Sequence, residues 1–377
     1  PMAHKVLLAG GGTAGHIEPA LAVADALKSL QSEITCEFLG TDGGLETLLV
    51  PKRGFRLRTI PKVVMPRAVK VQTVFFPLQL LRAFFSALKQ LKEFDLLIGF
   101  GGYVSAPAYL AAYMKRIPIV IHEANAKPGL ANRLGSLFTN YLAVAQPVTT
   151  GKLSRALITG LPLRADVAQA LQVSSQDWVS ARNRAKAALG FNQSAPVIVI
   201  FFGSQGSVAL NKVIADALPT FKVSGAQLLH AVGKANQLPN TDLNYKPVPY
   251  IEDMATAYLA ADLIIARSGA VTCSEVNALG KYALFIPLPI GNGEQKVNAR
   301  LVTEQSRGEL VDQGEFTPEW IANHLDRLLK NSDWTVMPDS PLSDSKKAEW
   351  TTYRQQLRDI TNGIDTEEKA KAAGVKE

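Results

Sequence analysis

The 377-residue sequence has no apolar run approaching the roughly 18 residues that a membrane-spanning helix needs. The apolar run after Lys5 is also too short for the hydrophobic region of a secretory signal, so a cytoplasmic protein is expected. Pro1 precedes Met2, and the natural chain is expected to start at Met2. Cysteine is scarce: Cys36 and Cys273 stand far apart without CxxC or ligand spacing, which argues against a disulfide or a zinc site and leaves two small packed hydrophobes. Asp-x-Asp is missing, and with it the common metal clamp for a sugar diphosphate, so no metal is expected. A P-loop and a Ser/His/Asp elbow are missing as well. Between residues 52 and 92 there is no Asp or Glu, but there are ten Lys and Arg; the segment carries +10 against +7 for the whole chain, leaving −3 for the rest. Such a patch attracts phosphate, anionic lipid or nucleic acid, or is simply a solvated basic face.

What is present is alternation. The strand-like runs "KVLLAG", "ITCEFLG", "DLLIGF" and "IPIVIHE", then "PVIVIFFG", "AQLLHAVG", "ADLIIARSG" and "YALFIPLP", are separated by helical patterns. This predicts an α/β protein with parallel sheets covered on both faces. The series occurs twice, with a polar, helix-prone connector over residues 164–195. The halves also share spacing. Gly12-Thr13-Ala14-Gly15 and Gly203-Ser204-Gln205-Gly206 are each followed, nine residues after the last Gly, by Ala-Asp-Ala-Leu. Gly102 and Gly269 each follow an Asp by seven residues, in "DLLIGFGG" and "DLIIARSG". Two matches in the same order argue for two Rossmann-like, doubly wound domains facing one another, with ligands in the cleft at the carboxyl ends of both sheets. Their expected extents are 1–164 and 165–344. A helix over 345–361, with Trp350, Tyr353 and Leu357 on one stripe, is expected to pack back on the first domain, and 362–377 to fray.

The stretch "AGGGTAGHIEP" over residues 9–19 satisfies the dinucleotide fingerprint: its glycines admit a pyrophosphate and the helix start offers free N–H groups. An NAD site would want an acid at the end of the second strand, and Asp42 comes late for that role. His16, just after the third glycine, can act as general base on a hydroxyl or merely order the loop; its position alone leaves both open. "ARSGAVTCSE" over residues 266–275 repeats the same physics, with amides at Ala270, Val271 and Thr272 for a diphosphate and Glu275 for ribose hydroxyls, or as a capping acid. Glu294 and Gln295 suit sugar hydroxyls or a plain helix surface. Residues 71–92 have helical period and surplus apolar residues. Leu78, Leu81, Phe85 and Leu88 form the expected core stripe, which leaves Phe75, Phe76 and Leu80 over. With Arg82 and the surrounding cations these fit an anionic membrane surface, worth about 1 kcal/mol per nearby basic residue, with ordinary core packing as the alternative.

Taken together, "GGGTAGH", "GTDGGLE", "GFGGYVSAP", "IHEANAKPGLAN", "GSQG", "YIEDMATAY", "ARSGAVTCSE" and "EQKVNA", in this order over nearly the whole chain, resemble the MurG-type N-acetylglucosaminyltransferases of peptidoglycan synthesis. The resemblance implies a GT-B fold and an inverting transfer of GlcNAc from UDP-GlcNAc to the C4 hydroxyl of MurNAc in lipid I, giving lipid II and UDP, without a cofactor. It implies a donor site of Asn125, Arg164, Ser204, Ile251 (through its backbone, to uracil), Ala270, Val271, Thr272, Glu275 and Gln295, reached by the loop Thr13, Ala14 and Gly15. It places Gly12, Thr13, Gly15, His16 and Tyr103 at the acceptor pyrophosphate, with Glu123 beside His16 as the catalytic pair. Phe75, Phe76, Leu80 and Arg82 are then membrane contacts at the cytoplasmic face of a bacterial membrane. Implied partners are UDP-GlcNAc, lipid I, the anionic membrane surface and other cell-wall synthesis and division proteins, with no nucleic acid. Three departures stand out: Ala14 where glycine is usual, Leu161-Pro162-Leu163-Arg164 where Asn-Pro-x-Arg is common, and Glu294-Gln295 in place of a Gln pair. Beside this reading stand an NAD dehydrogenase, a GT-B enzyme with another acceptor, and a nucleotide-binding module without turnover.

Overall fold

The computed structural model describes residues 5–63, 76–289, 293–304 and 307–332. The expected helix 345–361, the tail 362–377 and Phe75 lie outside the described residues.

The first sheet contains β1 (Lys5–Gly10), β2 (Thr35–Thr41), β3 (Arg56–Ile60), β4 (Leu96–Gly101), β5 (Ile119–Glu123), β6 (Tyr141–Val144) and β7 (Leu157–Ile158). The second contains β8 (Val197–Phe201), β9 (Gln227–Ala231), β10 (Tyr245–Val248), β11 (Leu263–Ala266), β12 (Tyr282–Phe285) and β13 (Gly308–Leu310). Their strand orders are β3-β2-β1-β4-β5-β6-β7 and β10-β9-β8-β11-β12-β13, with parallel pairing throughout. The two α/β sheets match the two doubly wound halves expected from the repeated spacing, and the GT-B fold that the resemblance implies. The matched pairs fall in equivalent places: β1 and β8 start each half, and β4 and β11, after which come Gly102 and Gly269, lie beside them. The strand order reverses there, which opens a crevice at the carboxyl end of each sheet.

Consecutive strand residues are buried because both faces are covered. Leu7, Ala9 and Leu97 pack into one core layer, and Val6, Leu8 and Ile98 into the layer opposite. The second sheet divides likewise, Val197 and Val199 to one side and Ile198 and Ile200 to the other. Each such Val, Leu or Ile side chain contributes roughly 1.5–3 kcal/mol by leaving water. The polar connector forms two helices, Ala165–Gln176 and Trp178–Ala188, and the first buries Val167 and Ala170 on the second sheet. Asp262 pins the other: it accepts from Arg182 Nε (2.8 Å), Lys186 Nζ (2.7 Å) and the Val197 amide (2.7 Å). Burial, partly opposed by Asp262, lowers the Lys186 pKa to about 8.

The helix Phe76–Gln90 corrects the expected stripe. Its buried residues are Ala83 and Ala87, with Leu80, Phe84 and Leu88 packed beside them, whereas Leu78, Leu81 and Phe85 are 49%, 51% and 63% exposed. Apolar residues occur all round this helix, so periodicity alone did not choose the inward face. Packing did, because Ala83 and Ala87 share a core layer with Ala108, Ala111 and Ala112 of the adjacent helix Ser105–Met114, and small side chains permit close helix approach.

Candidate functional site

β1 runs into a glycine turn and then the helix Ala14–Leu30, capped at Thr13. The His16 and Ile17 amides both return to the Thr13 carbonyl (3.1 and 3.3 Å). Ala14 opens the helix without a positive φ, so the departure from glycine introduces no left-handed strain there. The Gly12 amide donates to Glu46 Oε2 at 3.1 Å.

The half-buried His16 ring lies over the end of β4. Its Nδ1 is 3.1 Å from Thr13 Oγ1 and 3.3 Å from the Gly11 carbonyl. Gly102, at φ +86°, lets the strands approach: a Cβ there would stand 2.4 Å from the Gly11 carbonyl oxygen and 3.3 Å from His16 Nδ1. Burial lowers the His16 pKa from its ordinary 6.5, opposed by Glu123, the Gly11 carbonyl and Glu46, which keeps the imidazole neutral near pH 7. Tyr103 is exposed just beyond.

Glu123 ends β5, fully buried. Its Oε1 accepts from the Asn125 amide (2.9 Å) and Asn125 Nδ2 (3.1 Å), and its Oε2 from the Gly129 amide (3.1 Å) and Asn132 Nδ2 (2.9 Å). Tyr109 in turn donates to Asn132 Oδ1 (2.7 Å). A carboxylate with four donors is engaged in ordering the segment that follows it.

In the second sheet, β11 leads through Gly269 into the helix Ala270–Ala278. The first amide with an intrahelical partner is that of Cys273, to the Gly269 carbonyl (3.0 Å). The amides of Ala270, Val271 and Thr272 therefore sit in the anion-binding position of a helix start. One turn on, Glu275 is buried, and Arg164 holds both its oxygens: Nε to Oε1 and a terminal nitrogen to Oε2, each 2.6 Å. Tyr258 also donates to Oε2 at 2.9 Å. A carboxylate accepts about four hydrogen bonds, and Arg164 and Tyr258 occupy three of those positions on Glu275.

Glu18, from the helix after the first glycine turn, faces this pair. Burial raises its pKa above the ordinary 4.5, opposed by Arg164 and Arg53. A second bridge between the halves is Asn298, buried in the helix Glu294–Asn298. Its Nδ2 donates to Asn125 Oδ1 (3.2 Å) and the Ser268 carbonyl (3.3 Å), and its Oδ1 accepts from the Ala126 amide (3.3 Å) and Gln146 Nε2 (3.2 Å). Asn125 is thus drawn to the donor side by a residue the motifs did not single out. Gln295 accepts from the Leu288 amide (2.9 Å), which ties it to the end of β12; Ser204 is half-buried after β8 and Ile251 is buried.

The expected membrane residues separate. Arg82 is exposed and Leu80 is partly buried in the core; Phe76 begins its helix with a side chain outside the described set. Leu78, Leu81, Arg82, Phe85 and Lys89 share one exposed face instead. Among the described residues no helix is long and apolar enough to cross a membrane, and no group of three or more His, Cys, Asp or Glu could hold a metal ion.

Two family models match the chain: the glycosyltransferase family 28 N-terminal domain over residues 6–144 and its C-terminal domain over residues 197–351. A Streptomyces avermitilis protein is 45% identical over 328 residues, 85% of this chain and 88% of the relative, and a Mycobacterium sp. (strain KMS) protein is 44% identical over 341 residues, 87% and 88%. Both bear the name UDP-N-acetylglucosamine--N-acetylmuramyl-(pentapeptide) pyrophosphoryl-undecaprenol N-acetylglucosamine transferase. The crystal structure of Acinetobacter baumannii MurG superposes with a TM-score of 0.65 at 27% identity, over 94% of this chain and 100% of that one.

Proposed function

The chain belongs to glycosyltransferase family 28, and from that premise we propose that it transfers GlcNAc from UDP-GlcNAc to the C4 hydroxyl of MurNAc in undecaprenyl-pyrophosphoryl-MurNAc-pentapeptide, with inversion at the sugar and release of UDP. The observation that carries this reading is the match of similarly named relatives across both halves of the chain. In the step, the acceptor oxygen bonds to the sugar C1 as the C1–O bond to the diphosphate breaks. His16 takes the acceptor proton, and the amides of Ala270, Val271 and Thr272 meet the charge that collects on the leaving diphosphate. The loop Thr13, Ala14 and Gly15 meets the acceptor diphosphate with Tyr103 at its rim, while Arg164, Ser204, Ile251, Glu275 and Gln295 hold the nucleotide sugar. Glu123 orders the loop carrying Asn125. We assign 1–164 to the acceptor side and 165–344 to the donor side.

A transfer assay with UDP-GlcNAc and a lipid I analogue tests this: stoichiometric UDP and a β1,4-linked product are expected. UDP-GlcNAc binding with no turnover would leave a binding module, and tight NADH binding without UDP binding would favour a dehydrogenase.

Docking at the cytoplasmic face of the membrane is part of the same proposal, and it moves to the residues found exposed. Leu78, Leu81 and Phe85 enter the lipid surface while Arg82 and Lys89 meet anionic headgroups. Changing Leu81 and Phe85 to Ser is expected to weaken binding to anionic vesicles at least about tenfold, since each buried side chain contributes on the order of 1 kcal/mol or more. Undiminished flotation with the vesicles would remove this face from the interface.

A further inference from the structure

One buried charge is used by none of the steps above. Glu46 opens the short helix Glu46–Lys52 and is 0% exposed. An acid in a first helical turn is favourable by itself, but such an acid has no need to reach another element. Here Oε1 accepts from the Thr41 amide (2.9 Å) and the Thr41 hydroxyl (2.9 Å), and Oε2 reaches across to the Gly12 amide (3.1 Å). The sequence makes room for it: a Cβ on Gly11 would stand 2.8 Å from Oε1, and one on Gly44 would stand 2.2 Å from Oε2. Burying a carboxylate is costly unless donors satisfy it, so glycines and donors converging on one acid indicate a function for its position.

We propose that Glu46 is a positioning residue of the acceptor site, which fixes the turn at Gly12 so that the helix-start amides and His16 meet the acceptor diphosphate already in place. The proposal rests on reading the Thr13 to His16 loop as the site of that diphosphate. It accounts for an anion lying under an anion site, because the carboxylate is spent on the loop's own Gly12 amide and on Thr41. A loop ordered in advance does not lose that conformational freedom on binding.

Glu46→Gln separates this role from general stability. The amide keeps an acceptor for Thr41 but presents N–H to the Gly12 N–H, so that one bond is lost at nearly constant shape. The KM for a lipid I analogue is expected to rise about tenfold, the lower end for a hydrogen bond to a charged group, with the dissociation constant for UDP unchanged. Hydrogen exchange at the Gly12 amide is expected to quicken by a similar factor. Thr41→Val, which removes one donor and leaves Gly12 paired, is expected to raise the acceptor KM by less. Unchanged Gly12 exchange in Glu46→Gln, or equal losses for donor and acceptor, would overturn the proposal. If Glu46→Gln does not fold, an acceptor KM in Thr41→Val equal to that of the unchanged protein would do so. Failure of the unchanged protein to use lipid I would instead overturn the functional reading, and Gly12 exchange still decides whether Glu46 holds the turn.

Discussion

His16→Ala is expected to lower turnover by about 10²–10⁴-fold, the range for removal of a positioned general base, while leaving UDP affinity unchanged. The role as base requires the tautomer with the proton on Nδ1, where the Gly11 carbonyl can accept it, and the lone pair on Nε2. Its partners Thr13 and Gly11 belong to its own loop, whereas the donor amides stand at the start of a helix in the second sheet's half; deleting the imidazole therefore leaves the nucleotide site intact. The pH dependence follows from the same surroundings. Burial depresses the His16 pKa, and Glu123 from β5, Glu46 and the Gly11 carbonyl only partly restore it. A base must be neutral to work, so activity is full above that pKa and is lost as pH falls through it, with an acid limb centred below 6.5. Unchanged turnover in His16→Ala, or an acid limb that persists in it, would return the histidine to the role of ordering the loop.

The parts of this site that could be read from the sequence are those encoded within one turn or one strand. All eight apolar runs became strands, and both glycine turns sit where strands meet helices. Every sheet edge was missed: β3 alternates Arg with Leu and Thr, β7 and β13 have two and three residues, and β10 carries Pro247, which argues against a strand except at an edge. The residues that join the turns were also hidden, for a different reason. Glu46 bonds a residue 34 positions away, Arg164 one 111 away and Asn298 one 173 away, and no local periodicity reports such partners. Glu123 was found by its motif, yet its four donors come from the loop that follows it and from Asn132 in the next helix, which only the folded geometry could show.

Glu275→Ala is expected to weaken UDP binding by about 10–100-fold, the loss of about 1.5–3 kcal/mol that attends removal of a charged hydrogen-bond acceptor. The complication is Arg164, which already holds both carboxylate oxygens, and Tyr258, which shares one. If a ribose takes the remaining acceptor site, Glu275→Gln keeps part of the affinity and Arg164→Ala weakens binding less than Glu275→Ala, because freeing the carboxylate offsets the lost cation. Since the two residues touch, the double variant should fall short of the sum of the single losses. A disturbed core would weaken every nucleotide alike. Loss of a ribose contact would not: 2′,3′-dideoxy-UDP has no hydroxyls to offer, so the unchanged protein and Glu275→Ala should bind it equally. A UDP dissociation constant unaltered in Glu275→Ala would remove the carboxylate from the ribose and leave it as the partner of Arg164, a link between the halves near Glu18 and separate from the nucleotide.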